Sequence, residues 1–288
     1  RAAFDTGAND VPPRFAIPER LYGRAADVDA LVSKLDRARS DGVSLVLVEG
    51  PSGIGKSALV QQLAGPGRGV GARMVRGRFE QLGRDTPLKA FSEACEALVA
   101  GLLAEDDQEL EATRERLSLA LGDAAGLLAE TIPSLRVLLR DVPPAPQLGA
   151  QAAGVRSMQA HAALVGTFAS PLRPVVAFLD DLQWADVASL DLVEFLLGAP
   201  DIRGLVIVGA YRDDEVGPAH AVTRMLGRLE ASGRPPTRVR PARLDVASTA
   251  ALVADACRCT TDVAAPLAAA LHERTSGNPF FLRTLLQQ

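Results

Sequence analysis

Val43-Ser44-Leu45-Val46-Leu47-Val48-Glu49-Gly50-Pro51-Ser52-Gly53-Ile54-Gly55-Lys56-Ser57 is the stretch that decides the fold. Its first six residues form a nearly continuous apolar run, bounded by Gly42 and Gly50. Such a run suits a strand buried on both faces of a parallel sheet. Residues 56–64 then read as a helix. Gly50 to Ser57 match G-x-x-x-x-G-K-[ST] at every fixed position, with strand before and helix after. Gly50, Gly53 and Gly55 let the backbone curl, so that successive N–H groups point into one concavity. The N-terminus of the following helix adds partial positive charge. Lys56 is placed to reach β- and γ-phosphates, and the Ser57 hydroxyl to ligate Mg²⁺. Gly50, Pro51, Ser52, Gly53, Ile54, Gly55, Lys56, Ser57 and Ala58 are thus the expected cradle for ATP or ADP. A glycine-rich turn with an incidental Lys-Ser is the bland alternative, and the context argues against it.

A second stretch, Val175-Val176-Ala177-Phe178-Leu179-Asp180-Asp181, is an apolar strand ending in two carboxylates. Beside a phosphate loop, the acid that ends such a strand holds Mg²⁺ directly or through water, which assigns that role to Asp180. The next acid, Asp181, is placed to orient or deprotonate an attacking water. Aspartates are also common in turns and caps after strands, and only the loop upstream tips the reading toward chemistry. The two strands lie far apart in sequence, which leaves room for an extra strand between them in the sheet.

The remaining pattern alternates strands and helices. Val28, Leu31, Val32 and Leu35 share a helix face. Residues 72–79 read as a weaker strand, because Arg73, Arg76 and Arg78 interrupt it. Thr86-Pro87 reads as a helix start, with Leu88, Phe91, Cys95, Leu98 and Leu102 as its apolar face. Residues 107–140 read as helices broken at Gly122 and Pro133, residues 141–146 as a loop, and residues 151–169 as another helix. Asp186 reads as the cap of a helix running through Leu197. Residues 205–210 and 237–244 complete the strands, the last broken by Pro241. From Asp245 onward the pattern is only helical. Alternation of this kind argues for an α/β fold with helices on both faces of a parallel sheet. In such sheets ligands sit outside the carboxyl ends of the strands, which places Arg212 on the edge where a γ-phosphate lies. A surface arginine paired with Asp213 or Asp214 fits that position equally well. Trp184 reads as a packing residue, and His161, His220 and His272 as structural or surface residues.

The bulk numbers agree with a globular ATP-binding module. The chain has 288 residues, 48% hydrophobic and 23% charged, with 31 basic and 35 acidic side chains well mixed. That balance lacks the basic stripe of a nucleic-acid binder, so no direct nucleic-acid binding by this fragment is expected. No apolar run reaches membrane-span length. Cys95, Cys257 and Cys259 have neither disulfide nor metal-site spacing, and a cytoplasmic protein with reduced thiols is expected. The chain begins at Arg1 and not at Met, so it is expected to be a piece of a longer chain.

The residues resemble the ATPase module of STAND proteins, the signal-transduction ATPases with numerous domains, within the broader AAA-like group. The resemblance runs from about Phe15 to the end. It rests on Leu21-Tyr22-Gly23-Arg24, the Val48–Ser57 stretch, Phe178-Leu179-Asp180-Asp181-Leu182-Gln183-Trp184-Ala185-Asp186, Gly209-Ala210-Tyr211-Arg212-Asp213 and Thr275-Ser276-Gly277-Asn278-Pro279-Phe280-Phe281. It implies that Tyr22, Gly23 and Arg24 line the adenine site, that Arg212 is the first sensor of the γ-phosphate, and that Pro279 lies near the base. Local chemistry allows Gly277 to end one helix, Asn278 to cap the next and Pro279 to open it, a corner that also forms without any nucleotide. The chain departs from the family pattern at Ala25 and Ala26, where a Glu is common. Residues 14–20 look like a stretch that joins such modules to an upstream kinase domain.

The expected architecture is a five-stranded parallel P-loop NTPase sheet of the additional-strand type with a C-terminal helical lid. The expected division is a linker over 1–20, the α/β domain over 21–244 and the lid over 245–288. Lys56, Asp181 and Arg212 are the expected catalytic set, and Ser57 and Asp180 the metal ligands. The resemblance implies a slow ATP-hydrolysing switch: ADP holds a closed form, ATP an open one that self-associates, and other domains of the same longer chain are the partners. Rival readings are an AAA-type remodelling motor, the ATPase module of a DNA-binding regulator and a phosphotransferase.

Overall fold

The apolar runs singled out above become the interior strands of one sheet, and the chain between them becomes helix. The computed structural model describes residues 18, 20–64, 72–82 and 86–287. Most of the expected linker over 1–20 lies outside the described residues.

In chain order, α1 (Ala25–Asp41) leads to β1 (Val43–Glu49), which runs through the glycine-rich loop into α2 (Lys56–Gln61). β2 (Arg73–Arg78) is followed by a helical stretch: α3 (Lys89–Leu102), α4 (Asp107–Leu121), α5 (Ala125–Leu128), α6 (Ser134–Leu139) and α7 (Ala150–Phe168). Then come β3 (Val175–Asp180), α8 (Val187–Gly198), β4 (Leu205–Tyr211), α9 (Ala221–Ala231) and β5 (Thr237–Val239). The last elements are α10 (Val246–Cys257), α11 (Thr261–Thr275) and α12 (Pro279–Leu286).

The five strands are ordered β2-β3-β4-β1-β5, and every neighbouring pair is parallel. β4 therefore fills the place between β1 and β3 that the sequence left open. β3 and β4 are buried along their whole length. Side chains alternate between faces. Leu45, Leu47, Ala177, Leu179, Leu205 and Ile207 enter a core with α3, α7, α8 and α9, anchored by Phe91, Leu98, Leu164, Leu192 and Met225. Val46, Val48, Phe178, Val206 and Val208, on the other face, are buried as well. Both faces are covered, and that is why these strands read as unbroken apolar runs.

Two element boundaries depart from expectation. The helix after β2 begins at Lys89, and its cap residue is Leu88 with φ 61°, so Thr86 caps nothing. Leu88 is buried, its N–H points to Asp186 Oδ1 at 3.5 Å, and the start of α3 has no side-chain cap. The last strand is only Thr237–Val239 and pairs along Val46–Val48. It stops short of Leu244, with Pro241 supplying no N–H for a ladder. Asp186 does cap α8, accepting from Ser189 N at 2.9 Å.

The chain divides into two compact units, residues 26–241, and residues 1–25 together with 242–288. Within the second unit, Leu252, Val253, Leu271 and Leu282 form a core with Tyr22 and Leu244. Asp245 caps α10 through Ser248 N at 2.7 Å. Asn278 caps α12 through Phe280 N at 3.0 Å, with Pro279 at the first turn. Among the described residues no helix is long and apolar enough to cross a membrane.

Candidate functional site

β1 delivers its chain end to the loop, and the loop bends where glycine permits. Gly53 and Gly55 take φ 77° and 97°, which disfavour any side chain. Ile54 between them is buried and pins the loop. Lys56 is the first residue of α2 and is buried, with Nζ donating to Gly50 O at 2.7 Å and Pro51 O at 3.0 Å. Burial pulls its pKa down, as does the nearby Arg212 charge, while Asp181, Asp213 and Asp180 oppose the shift. Ser57 and Ala58 follow in the first turn of α2.

Asp180 closes β3. Its carboxylate accepts from Ser57 Oγ, at 2.9 Å on Oδ2 and 3.2 Å on Oδ1, and Arg76 Nη2 reaches Oδ2 at 2.5 Å. The hydroxyl proton is thus spent on the carboxylate, which leaves the Ser57 oxygen lone pairs as donors. A serine hydroxyl beside a carboxylate is an all-oxygen set of the kind that Mg²⁺ prefers, with water and phosphate oxygens as its other ligands. The residues present fit that ion.

Asp181 sits in the left-handed region at φ 59°, and its N–H donates to Asp180 Oδ1 at 3.2 Å. Both of its carboxylate oxygens are engaged: Oδ2 by Arg78 Nε at 3.1 Å and Oδ1 by Gln183 Nε2 at 3.1 Å. Gln183 Oε1 accepts from the Arg212 N–H at 3.2 Å. The Arg212 guanidinium lies over the Trp184 ring, 5.2 Å from its centre, and pairs with Glu215 at 2.6 Å. Its acidic partner is therefore Glu215, where the sequence suggested Asp213 or Asp214. Trp184 is half-buried and packs against the main core.

Glu49, the last residue of β1, is buried like Asp180 and Asp181. It accepts from the Tyr211 hydroxyl, from Arg240 Nε at 2.7 Å and from Arg238 Nη1 at 3.4 Å. Burial works against its charge, but these hydrogen bonds and the arginine charges outweigh burial and hold its pKa below the usual 4.5. Burial and the bond to Glu49 push the Tyr211 hydroxyl pKa upward. Glu49 and Tyr211 face each other in register, Glu49 one residue before the phosphate loop and Tyr211 one residue before Arg212.

The structure thus brings Gly50 to Ala58, Asp180, Asp181 and Arg212 to the carboxyl ends of adjacent strands. Tyr22, Gly23, Arg24 and Pro279 belong to the other compact unit. There the buried Tyr22 donates its hydroxyl to Asp255 Oδ2 at 2.7 Å, and Arg20 lies 4.8 Å over its ring. Arg24 is buried, and Pro279 is half-buried at the start of α12. Sequence reasoning missed Arg76, Arg78, Gln183 and Glu49. For the two arginines a signal existed: their alternation along β2 puts both on one side of a strand that pairs with β3. None of the histidines is among these residues: His161 is buried against Ser92 Oγ at 3.2 Å, His220 caps α9, and His272 Nδ1 lies 3.2 Å from Thr249 Oγ1. No metal-binding cluster of His, Cys, Asp and Glu exists among the described residues.

A parallel sheet with a glycine-rich phosphate loop on one strand, an acid pair two strands away and an added strand between them defines a P-loop nucleotide-binding protein. The chain belongs to the AAA ATPase domain family, which matches residues 20–208. It is 32% identical over 197 residues to hybrid signal transduction histidine kinase G of Dictyostelium discoideum. That match covers 67% of this chain but spans only 6% of the kinase. The fold is similar to that of the ORC2 protein of Aeropyrum pernix, solved in ADPNP–ADP complexes, with TM-score 0.50 and 11% identity over 94% of this chain and 62% of that one. The ORC1 protein of the same organism, in complex with DNA, gives TM-score 0.48 and 16% identity over 92% of this chain and 59% of that one. At 11% identity the likeness to the ORC2 protein is one of fold alone.

Proposed function

We propose that this chain is a Mg²⁺-dependent ATP-hydrolysing switch module of the STAND type, acting within a larger signalling protein. The observation that carries the reading is the pairing of Ser57 with Asp180, with Lys56 in the loop and Asp181 one residue beyond. Lys56 leaves the Gly50 and Pro51 carbonyls to contact the β- and γ-phosphates. Ser57 and Asp180 hold Mg²⁺, which when bound offsets negative charge on the phosphates. Asp181 orients a water and accepts its proton as the water oxygen bonds to the γ-phosphorus. The bond from that phosphorus to the bridging oxygen breaks, and ADP and phosphate leave. Arg212 moves from Glu215 toward the γ-phosphate and reports its presence.

Tyr22, Gly23, Arg24 and Pro279 serve the adenine, and residues 245–288 act as a lid on the 21–244 domain. ATP favours self-association and ADP the closed form. The signalling role takes support from the histidine-kinase relative, which is itself a signalling protein. The thiols of Cys95, Cys257 and Cys259 are all free, which suits the cytoplasm.

The test is calorimetry with ATP and ADP in Mg²⁺, on this chain and on Lys56→Ala. The variant is expected to bind ATP about 100-fold more weakly, equivalent to ~2.7 kcal/mol. Equal affinities would remove the loop from the nucleotide site. Scattering mass in ATP against ADP then checks the switch, and identical masses would overturn it.

A further inference from the structure

Gln183 is an uncharged polar side chain with only 1% exposure, in the tight turn between β3 and α8. A buried amide is costly unless its donor and acceptor are both matched. Here both ends are used, and the partners fix which end is which. The Arg212 N–H can only donate, so Oε1 must face it. The Asp181 carboxylate accepts, so Nε2 must face that. Asn is one methylene shorter, and Glu would set a carboxylate against a carboxylate. Gln is the side chain whose length and polarity span this gap.

The two holds on Asp181 differ in kind. Arg78 reaches Oδ2 from strand β2 with a side chain 58% exposed, so water competes for it. Gln183 reaches Oδ1 from a sealed position. Around them stand Arg76 on Asp180, and Lys56 and Arg212 as nearby charges.

We infer that Gln183 is a positioning residue for ATP hydrolysis: it fixes the Asp181 carboxylate and ties it to the backbone that carries Arg212. The candidate base and the candidate sensor then shift together, so that contact of Arg212 with phosphate is felt at the carboxylate. This rests on the proposed role of Asp181. Gln183 itself touches neither water nor phosphate in the reaction. Its loss lets the carboxylate rotate about its side-chain bonds, and small misplacements of a reacting group are costly to the rate.

The experiment is a double-mutant cycle on the whole chain, with turnover at saturating Mg-ATP and ATP affinity by calorimetry. Gln183→Met keeps the length and loses the hydrogen bonds to Asp181 and to the Arg212 N–H. It is expected to lower kcat ~10- to 100-fold and leave ATP affinity unchanged. Gln183→Glu keeps an acceptor for the Arg212 N–H but has no donor for Asp181. It is expected to lose kcat likewise, and it stands in should Gln183→Met fail to fold. In an Asp181→Asn background either substitution should change the residual rate little, because its route of action is already gone. Wild-type kcat in both Gln183 variants would overturn the inference. So would the same fold-loss in both backgrounds, which marks a packing role. Full turnover by Asp181→Asn alone would instead sink the role of Asp181 and, with it, the reading on which Gln183 depends.

Discussion

Interior and edge strands of this sheet are built from opposite material, and each needs the other. β1 and β3 are apolar strands that end in buried carboxylates, Glu49 on one and Asp180 on the other. The edge strands carry arginines at alternate positions: Arg76 and Arg78 in β2, and Arg238 in β5 with Arg240 just beyond. Each edge pair closes on the acids of its interior neighbour, Arg76 on Asp180, Arg78 on Asp181, and Arg238 and Arg240 on Glu49. A carboxylate taken out of water without a partner costs several kcal/mol. The lesson is that a strand can carry an acid at the end of an oily core when its neighbour supplies the counter-charge from within about two residues of the register.

The largest expected effect breaks the interior half of that comparison. Phe178 is fully buried in β3, and Phe178→Ala should lower unfolding free energy by about 3–5 kcal/mol in a denaturant titration. A loss below ~1 kcal/mol would mean that the face collapses freely around the cavity.

The next effect tests the acid itself. Glu49→Gln keeps the shape and removes the charge from the Tyr211–Arg240–Arg238 cluster, and should cost about 1–3 kcal/mol at neutral pH. Its pH dependence has a definite sign. The folded pKa lies below the ordinary 4.5, so the stabilisation is complete above that value. It drains away as pH falls through the lower folded value. The wild-type chain should therefore lose stability more steeply with acid than Glu49→Gln does, and parallel acid limbs would refute the assignment.

The smallest effect belongs to the edge. Arg78 is more than half exposed, and Arg78→Gln should shift stability by no more than about 1 kcal/mol, less at high salt. A larger, salt-independent loss would make β2 a true core strand.

The same contrast decides what could be read from the sequence. Strands buried on both faces announce themselves by composition, so β1, β3 and β4 were legible within a residue, as were the loop and the two acids. The caps Asp186 and Asn278 were legible too, because capping is local. What lay outside reach depends on partners distant in the chain. Arg76 and Arg78 looked like defects in a weak strand until paired with residues about a hundred positions away. Leu88 stands in the place expected of Thr86, with its N–H toward Asp186, far downstream. Tyr22 meets Asp255 across 233 positions of chain, and no periodicity encodes that.

The strand order has a consequence for how the protein is made. β1 lies between β4 and β5, although it leaves the ribosome before the other four strands of this sheet. Val43 pairs with Leu205, so 205 − 43 = 162 residues must follow before this ladder can start. At roughly 5–20 residues per second that is on the order of 10–30 s. Throughout this interval the apolar Val43–Val48 segment has no native strand partner and is a target for chaperones or for aggregation. In nascent chains of graded length, this segment should stay open to protease until β4 has emerged, and then become protected in a single step.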